Sequence, residues 1–180
     1  EGFLSDATGL SVPIDGLDLS KDKESGGDYQ DRDLGQAMMD AHAAGQVAKA
    51  YREHAAERKA ICFAPTVAAA EAISAELNSL GISSETVTGK TNATDRKAMY
   101  TRLRAGATRV LCSVAVLTEG FDEPSVDCVI MARPTKSQGL YVQAVGRGLR
   151  LFPGEKGCLV LDVSGSSVDN SLTALPDLSG

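Results

Sequence analysis

Short apolar runs alternate with helix-length amphipathic stretches from about residue 58 onward, and that rhythm leaves few folds open. "KAICFA" (59–64), "RVLCSV" (109–114), "VDCVIMA" (126–132) and "GCLVLDV" (157–163) are each only a few residues long and almost continuously apolar. A strand with one wet face alternates polar and apolar residues; a continuous run marks a strand covered on both faces. "SSETVT" (83–88) reads as a further, more polar strand. Between these runs lie helix signals. Thr66 can cap a helix whose stripe is Ile73, Leu77 and Leu80, ended by Gly81. A second helix spans about Asn92 to Ala105, with Met99 and Leu103 four apart, and stops at Gly106. A third is capped by Ser137 and runs through Leu149. Strands alternating with helices predict an α/β chain: a mainly parallel sheet with helices on both faces.

The rest of the chain reads differently. Residues 1–32 mix Gly, Ser, Asp and Pro with little periodicity and are expected to be a linker or arm. A helical stretch follows from about Asp33 to Glu57, with Gly45 as the expected interruption. The folded body is expected to end near 165, followed by a polar tail, 166–180. Net charge is −6, the wrong sign for a protein that binds nucleic acid through a broad positive field. The charge is unevenly distributed, however. Residues 1–33 carry nine acids and three bases, whereas 34–180 carry fifteen of each. The arm is acidic and the body neutral, so contact with an anionic polymer would come from local groups.

With no Trp, four Tyr and four Phe, the core must be aliphatic. The four cysteines, at 62, 112, 128 and 158, all sit in apolar runs, none in C-x-x-C spacing. They are expected to be buried free thiols of a reducing, cytoplasmic environment, with no metal site. No run has the roughly 20 apolar residues of a membrane helix, and no signal peptide is visible at the start. Because the first residue is Glu1, the chain is expected to be a fragment or a processed piece.

"VTGKT" (87–91) ends in the letters that close a nucleotide-binding P-loop, G-x-x-x-x-G-K-[ST]. Counted back from Gly89, the first glycine position is occupied by Ser84. Glu85, Thr86, Val87 and Thr88 favour extended chain, and Glu85 would set negative charge beside a phosphate. The stretch is expected to be a strand end and a loop leading into the next helix.

Ligands of parallel sheets bind outside the carboxyl ends of the strands, where "APT" (64–66), "LTEGFDEPS" (117–125) and "RPTKSQ" (133–138) are expected. On a helix over 137–150, Gln143, Arg147 and Arg150 share one face, a fork of donors suited to phosphate oxygens, while Val142, Val145 and Leu149 face the sheet. Gly146 and Gly148 each cost such a helix about 1 kcal/mol relative to Ala, a cost that close approach of a ligand or another backbone would offset. The same residues also fit an ordinary exposed amphipathic helix. In the 117–125 loop, Asp122 suits a ribose hydroxyl and Thr118 a phosphate; the loop equally fits a surface turn closed by Pro124. Arg133 and Lys136 are further phosphate contacts or plain surface charge.

In order, "ICFAPT", "VTGKT" with Arg96, "VLCSVAVLTEGFDEPSVDCVI", "RPTKS" and "QAVGRGLR" resemble the second RecA-like domain of superfamily 2 helicases and translocases of the DEAD/DEAH kind, over about residues 58–165. "LTEGFD" is similar to motif V and "QAVGRGLR" to motif VI. Ser113 stands seven residues before Gly120, one more than the usual Thr of motif V.

The resemblance implies a RecA-like three-layer sandwich and an ATP-dependent motor. ATP and Mg²⁺ would be held mainly by a first RecA-like domain of the same protein, absent from these residues. Arg147 and Arg150 would act as arginine fingers with Gln143 positioning the nucleotide, and Gly120, Asp122 and Gly146 would lie on the nucleotide side. Thr66, Gly89, Lys90, Thr91, Ser113 and Thr118 would grip the backbone of DNA or RNA. The fragment alone would be inactive. The alternative is a non-catalytic RecA-like module that binds nucleic acid or protein. Neither involves a membrane.

Overall fold

The structure, a computed structural model, describes residues 7–12, 14–16, 24–25, 28–29, 31–40, 42–114, 126–132 and 158–163. Its elements are β1 (Ala7–Ser11), β2 (Glu24–Ser25), β3 (Asp28–Tyr29), α1 (Asp31–Asp40), α2 (Ala43–His54), β4 (Ala60–Phe63), α3 (Val67–Ser79), β5 (Ser84–Val87), α4 (Ala93–Ala105), β6 (Val110–Ser113), β7 (Cys128–Met131) and β8 (Cys158–Asp162). Six strands form one sheet in the order β1-β8-β7-β4-β6-β5, every pair parallel; β2 and β3 make a separate antiparallel pair.

Both faces of the sheet are covered, which is why its strands are continuously apolar. Ala60, Cys62, Val110, Cys112, Cys128 and Ile130 point to one side and pack in a single cluster with Val47 and Tyr51 of α2 and Ile73 and Leu77 of α3. Ile61, Phe63, Leu111, Val129, Met131 and Val160 alternate to the other side and are also buried, as is Leu103 of α4. The connections explain the layering. α3 carries the chain from β4 past β6 to β5, and α4 brings it back from β5 to β6. Right-handed crossovers in opposite directions place these helices on opposite faces. Fully burying each such Leu or Ile is worth roughly 1.5–3 kcal/mol.

The helices start and stop where their capping residues stand. Thr66 is extended (φ −140°, ψ 163°) and its hydroxyl oxygen accepts from the Ala69 amide at 3.1 Å. The Asn92 side chain accepts from the Asp95 amide at 2.7 Å. Gly106, at φ 83°, ends α4 in the left-handed conformation.

Three local expectations are corrected. The long helical stretch breaks at His42 (φ 54°), whose amide closes a turn on the Met39 carbonyl at 3.1 Å, and not at Gly45. Gly45 lies inside α2, where a Cβ would be in ordinary contact, 3.7 Å, with Glu76 Oε1 of α3; one helical glycine costs little against that packing. Leu80 is the C-cap of α3 and is 38% exposed, because the helix ends at Ser79 and turns it off the buried stripe of Ile73 and Leu77. Finally, residues 7–11, within the stretch read as an arm, add β1 to the edge of the sheet beside β8, and Ile14 just beyond is buried. A five-residue edge strand containing a glycine has no periodicity to betray it; its partner lies at the other end of the chain.

The amino edge of the sheet is sealed by Asp127, which is 6% exposed. Its Oδ1 accepts from the Lys59 amide at 3.0 Å, and Arg58 Nη1 donates to its carbonyl at 3.1 Å and reaches Oδ2 at 3.5 Å. The buried Tyr51 hydroxyl donates to the Arg58 carbonyl. Two consecutive residues before β4 are thereby tied to the start of β7.

Candidate nucleic-acid interface

Because all six strands run the same way, their carboxyl ends form one row. Phe63 is in register with both Ser113 and Met131, Val87 with Ser113, and Asp162 with both Met131 and Ser11. Two stretches singled out from sequence, 64–66 and 88–91, leave this row from β4 and β5, and Ser113 ends β6 between those strands. Thr66, Ser113 and the 88–91 loop therefore share one edge, although 22 to 25 residues separate each from the next along the chain.

The 88–91 loop is closed upon itself. The Thr88 amide donates to Thr91 Oγ1 at 2.9 Å, the Lys90 amide to Thr88 Oγ1 at 3.1 Å, and the Thr91 amide to the Thr88 carbonyl at 3.1 Å. Arg96, one turn into α4, donates through Nη2 to the Thr88 carbonyl at 2.9 Å and the Thr91 carbonyl at 3.3 Å. A P-loop would aim these amides at a phosphate; here three of them are spent inside the loop. This loop therefore does not fit a triphosphate as a P-loop does. Gly89 and Lys90 are exposed at the tip. The φ of Gly89 lies outside the left-handed region, and a Cβ there would meet nothing within 4 Å among the described residues. Nothing in the described fold requires glycine at that position.

Glu85, the residue whose charge told against a phosphate cradle, is neutralised within the fold. Arg102 donates to both its oxygens, and the Thr108 hydroxyl adds a short hydrogen bond. The Arg102 guanidinium, ahead of the opposing effect of burial, holds the Glu85 carboxyl below the usual carboxylate range.

The remaining described site residues are more deeply placed. Thr66 is half-buried, with its hydroxyl engaged as the cap of α3. The backbone of α1 lies against it: a Cβ on Gly35 would stand 2.6 Å from Thr66 Cγ2 and 2.8 Å from Oγ1. Ser113 is 2% exposed, and its carbonyl accepts from the Ala64 amide at 2.8 Å, fixing the start of the 64–66 loop. Sequence reasoning noted Arg96 only through resemblance, and missed Arg102, Gly35 and Asp127. Their partners lie across the sheet or on another helix, so no local pattern flags them. Thr118, Gly120, Asp122, Arg133, Lys136, Gln143, Gly146, Arg147 and Arg150 lie outside the described residues. Among the described residues no group of three or more His, Cys, Asp or Glu side chains is placed to hold a metal ion, and no helix is long and apolar enough to cross a membrane.

Residues 43–152, more than half the chain, match the family model of the helicase conserved C-terminal domain. This chain is a member of that family. The helicase C-terminal domain is 30% identical over 168 residues to a Saccharomyces cerevisiae protein named "Putative ATP-dependent helicase IRC3", covering 92% of this chain and 24% of that one. It is 33% identical over 146 residues to a "51.5 kDa protein" of a Lactococcus phage, covering 81% of this chain and 32% of that one. The domain thus spans about a quarter to a third of these curated relatives. Among solved structures, a Dbp5 variant of S. cerevisiae bound to RNA and ADP BeF3 superposes with a TM-score of 0.60 at 18% identity, covering 100% of this chain and 40% of that one. Such a match shows the fold: the six-stranded parallel sheet is that of RecA-like helicase C-terminal domains.

Proposed function

We propose that this domain is the second motor half of an ATP-dependent nucleic-acid helicase or translocase. Its carboxyl edge forms part of the track for one strand of DNA or RNA. The observation that carries the reading is the 88–91 loop. It is braced internally, presents a bare glycine and a lysine outward, and stands at the same edge as the 64–66 loop and the end of β6. A neutral body with a few positioned donors suits contacts to phosphates that locate a strand without reading its sequence. Family membership and the RNA-bound fold relative support the same assignment.

Gly89, Lys90 and Thr91, with Thr118 and the Thr66 loop, contact the strand. Ser113 supports the Thr66 loop from within. Arg147 and Arg150, with Gln143, face a nucleotide held with Mg²⁺ by a first RecA-like domain, and Gly120, Asp122 and Gly146 lie on its near side. The guanidinium groups supply positive charge where negative charge builds on a transferred phosphoryl group. The first RecA-like domain is the expected partner.

The test is ATP hydrolysis by the intact protein with and without single-stranded DNA or RNA. Stimulated turnover is expected. Tight binding of nucleic acid with no turnover would instead favour the binding-module alternative, and neither binding nor turnover would overturn both.

A further inference from the structure

α4 is attached to the sheet without help from Arg96. Leu103 is fully buried, and Arg102 fixes the helix to β5 through Glu85. Arg96 is half-buried and its guanidinium is turned the other way, under the 88–91 loop, where it bridges the carbonyls of Thr88 and Thr91. Tyr100, one turn on, is buried; burial raises its hydroxyl above the ordinary value, and the Arg96 charge opposes that rise. Those two carbonyls flank Gly89 and Lys90, the only two loop residues left exposed. A planar fork can span two carbonyls in a fixed geometry, which a single ammonium does less well.

We infer that Arg96 is a positioning residue for the nucleic-acid track. By tying the Thr88 and Thr91 carbonyls to α4, it holds Gly89 and Lys90 in the outward arrangement that receives a strand's phosphate. The inference rests on the reading of this edge as a nucleic-acid track. Arg96 does not touch the strand; it removes the entropy that a loose loop would lose on binding, so its effect falls on affinity. Its charge, fixed beneath the loop, also favours an anion above it.

The test uses the intact protein with labelled oligothymidylate and oligouridylate, the two arms separating DNA from RNA as the ligand. In Arg96→Ala the oligonucleotide concentration giving half-maximal ATPase stimulation is expected to rise about tenfold, the scale of one charge-assisted hydrogen bond. The maximal stimulated rate should stay within about twofold, the signature of lost binding rather than lost chemistry. Arg96→Lys should restore part of the loss. In native hydrogen exchange, the Thr88, Lys90 and Thr91 amides should exchange faster in Arg96→Ala while those of β5 do not. An unchanged half-saturating concentration, or faster exchange spread evenly through α4 and β5, would overturn the inference and leave the track assignment standing. Failure of the unsubstituted protein to bind either oligonucleotide would bring down the track assignment and this inference with it.

Discussion

Arg102 of α4 holds Glu85 of the edge strand β5 with two parallel hydrogen bonds, Nε to Oε2 at 2.8 Å and Nη2 to Oε1 at 2.7 Å. The pair joins a helix to the outermost strand of the sheet, beside the 88–91 loop. The Glu85 carboxyl is held below its ordinary value of 4.5, chiefly by Arg102. A carboxyl with a depressed folded pKa contributes stability above the unfolded value, and that contribution is lost as pH falls through the folded value. Glu85→Gln should therefore lower the thermal midpoint at neutral pH, and the gap to the unsubstituted protein should close below about pH 4.5. The shift is small because Arg102 faces solvent, where water and salt screen the pair. Thermal melts of both proteins across pH 3–8 check this; a gap that persists in acid would mean the pair is not its source.

Two glycines near this edge should respond differently to alanine. Gly35→Ala gains about 1 kcal/mol of helix propensity but drives a Cβ to 2.6 Å from Thr66 Cγ2. Thr66 cannot rotate away without giving up its cap on α3, worth about 1 kcal/mol, and overpacking adds roughly 1–3 kcal/mol. Net destabilisation is expected, read as a lower urea midpoint. Gly89→Ala meets nothing inside the described fold and should leave that midpoint in place while weakening oligonucleotide binding. Equal binding by Gly89→Ala would remove the reason offered for a glycine there.

Cys62, Cys112 and Cys128 are buried thiols outside any disulfide. The hydrogen bond with Cys112 and full burial push the Cys62 thiol well up from its ordinary value of 9.0. The reactive thiolate is therefore scarce at neutral pH. Reaction of these three with an aromatic disulfide reagent should be slow in the native protein and prompt in denaturant; fast labelling of Cys62 in the native state would contradict its burial.

Arg150→Ala in the intact protein should abolish ATP hydrolysis while largely preserving nucleotide binding, as expected of a group that acts on the transition state. Binding measured with a fluorescent nucleotide, alongside turnover, separates the outcomes. Loss of both in equal measure would speak against a finger role. The 180-residue chain alone should hydrolyse no ATP.

The strands were legible because burial on both faces leaves a continuous apolar run, and "AICF", "VLCS" and "CVIM" became β4, β6 and β7. Thr66, Asn92 and Gly106 announced helix ends because capping is a matter between near neighbours. β1 and the break at His42 were not legible. The first gets its hydrogen bonds from β8 at the far end of the chain, and the second is a left-handed turn at a residue that is not glycine.

The candidate site divides along the same line. Residue order and spacing alone established the α/β layout, the carboxyl-edge position of the Thr66 loop, and the unsuitability of "VTGKT" as a phosphate cradle, since these follow from periodicity and local backbone chemistry. Only the tertiary structure decided that Glu85 is neutralised by Arg102, that Gly35 presses on Thr66, and that Arg96 underpins the loop. Each is a meeting of side chains or backbone brought together by the crossovers of the sheet, and sequence separation carries no record of which distant residues those crossovers make neighbours.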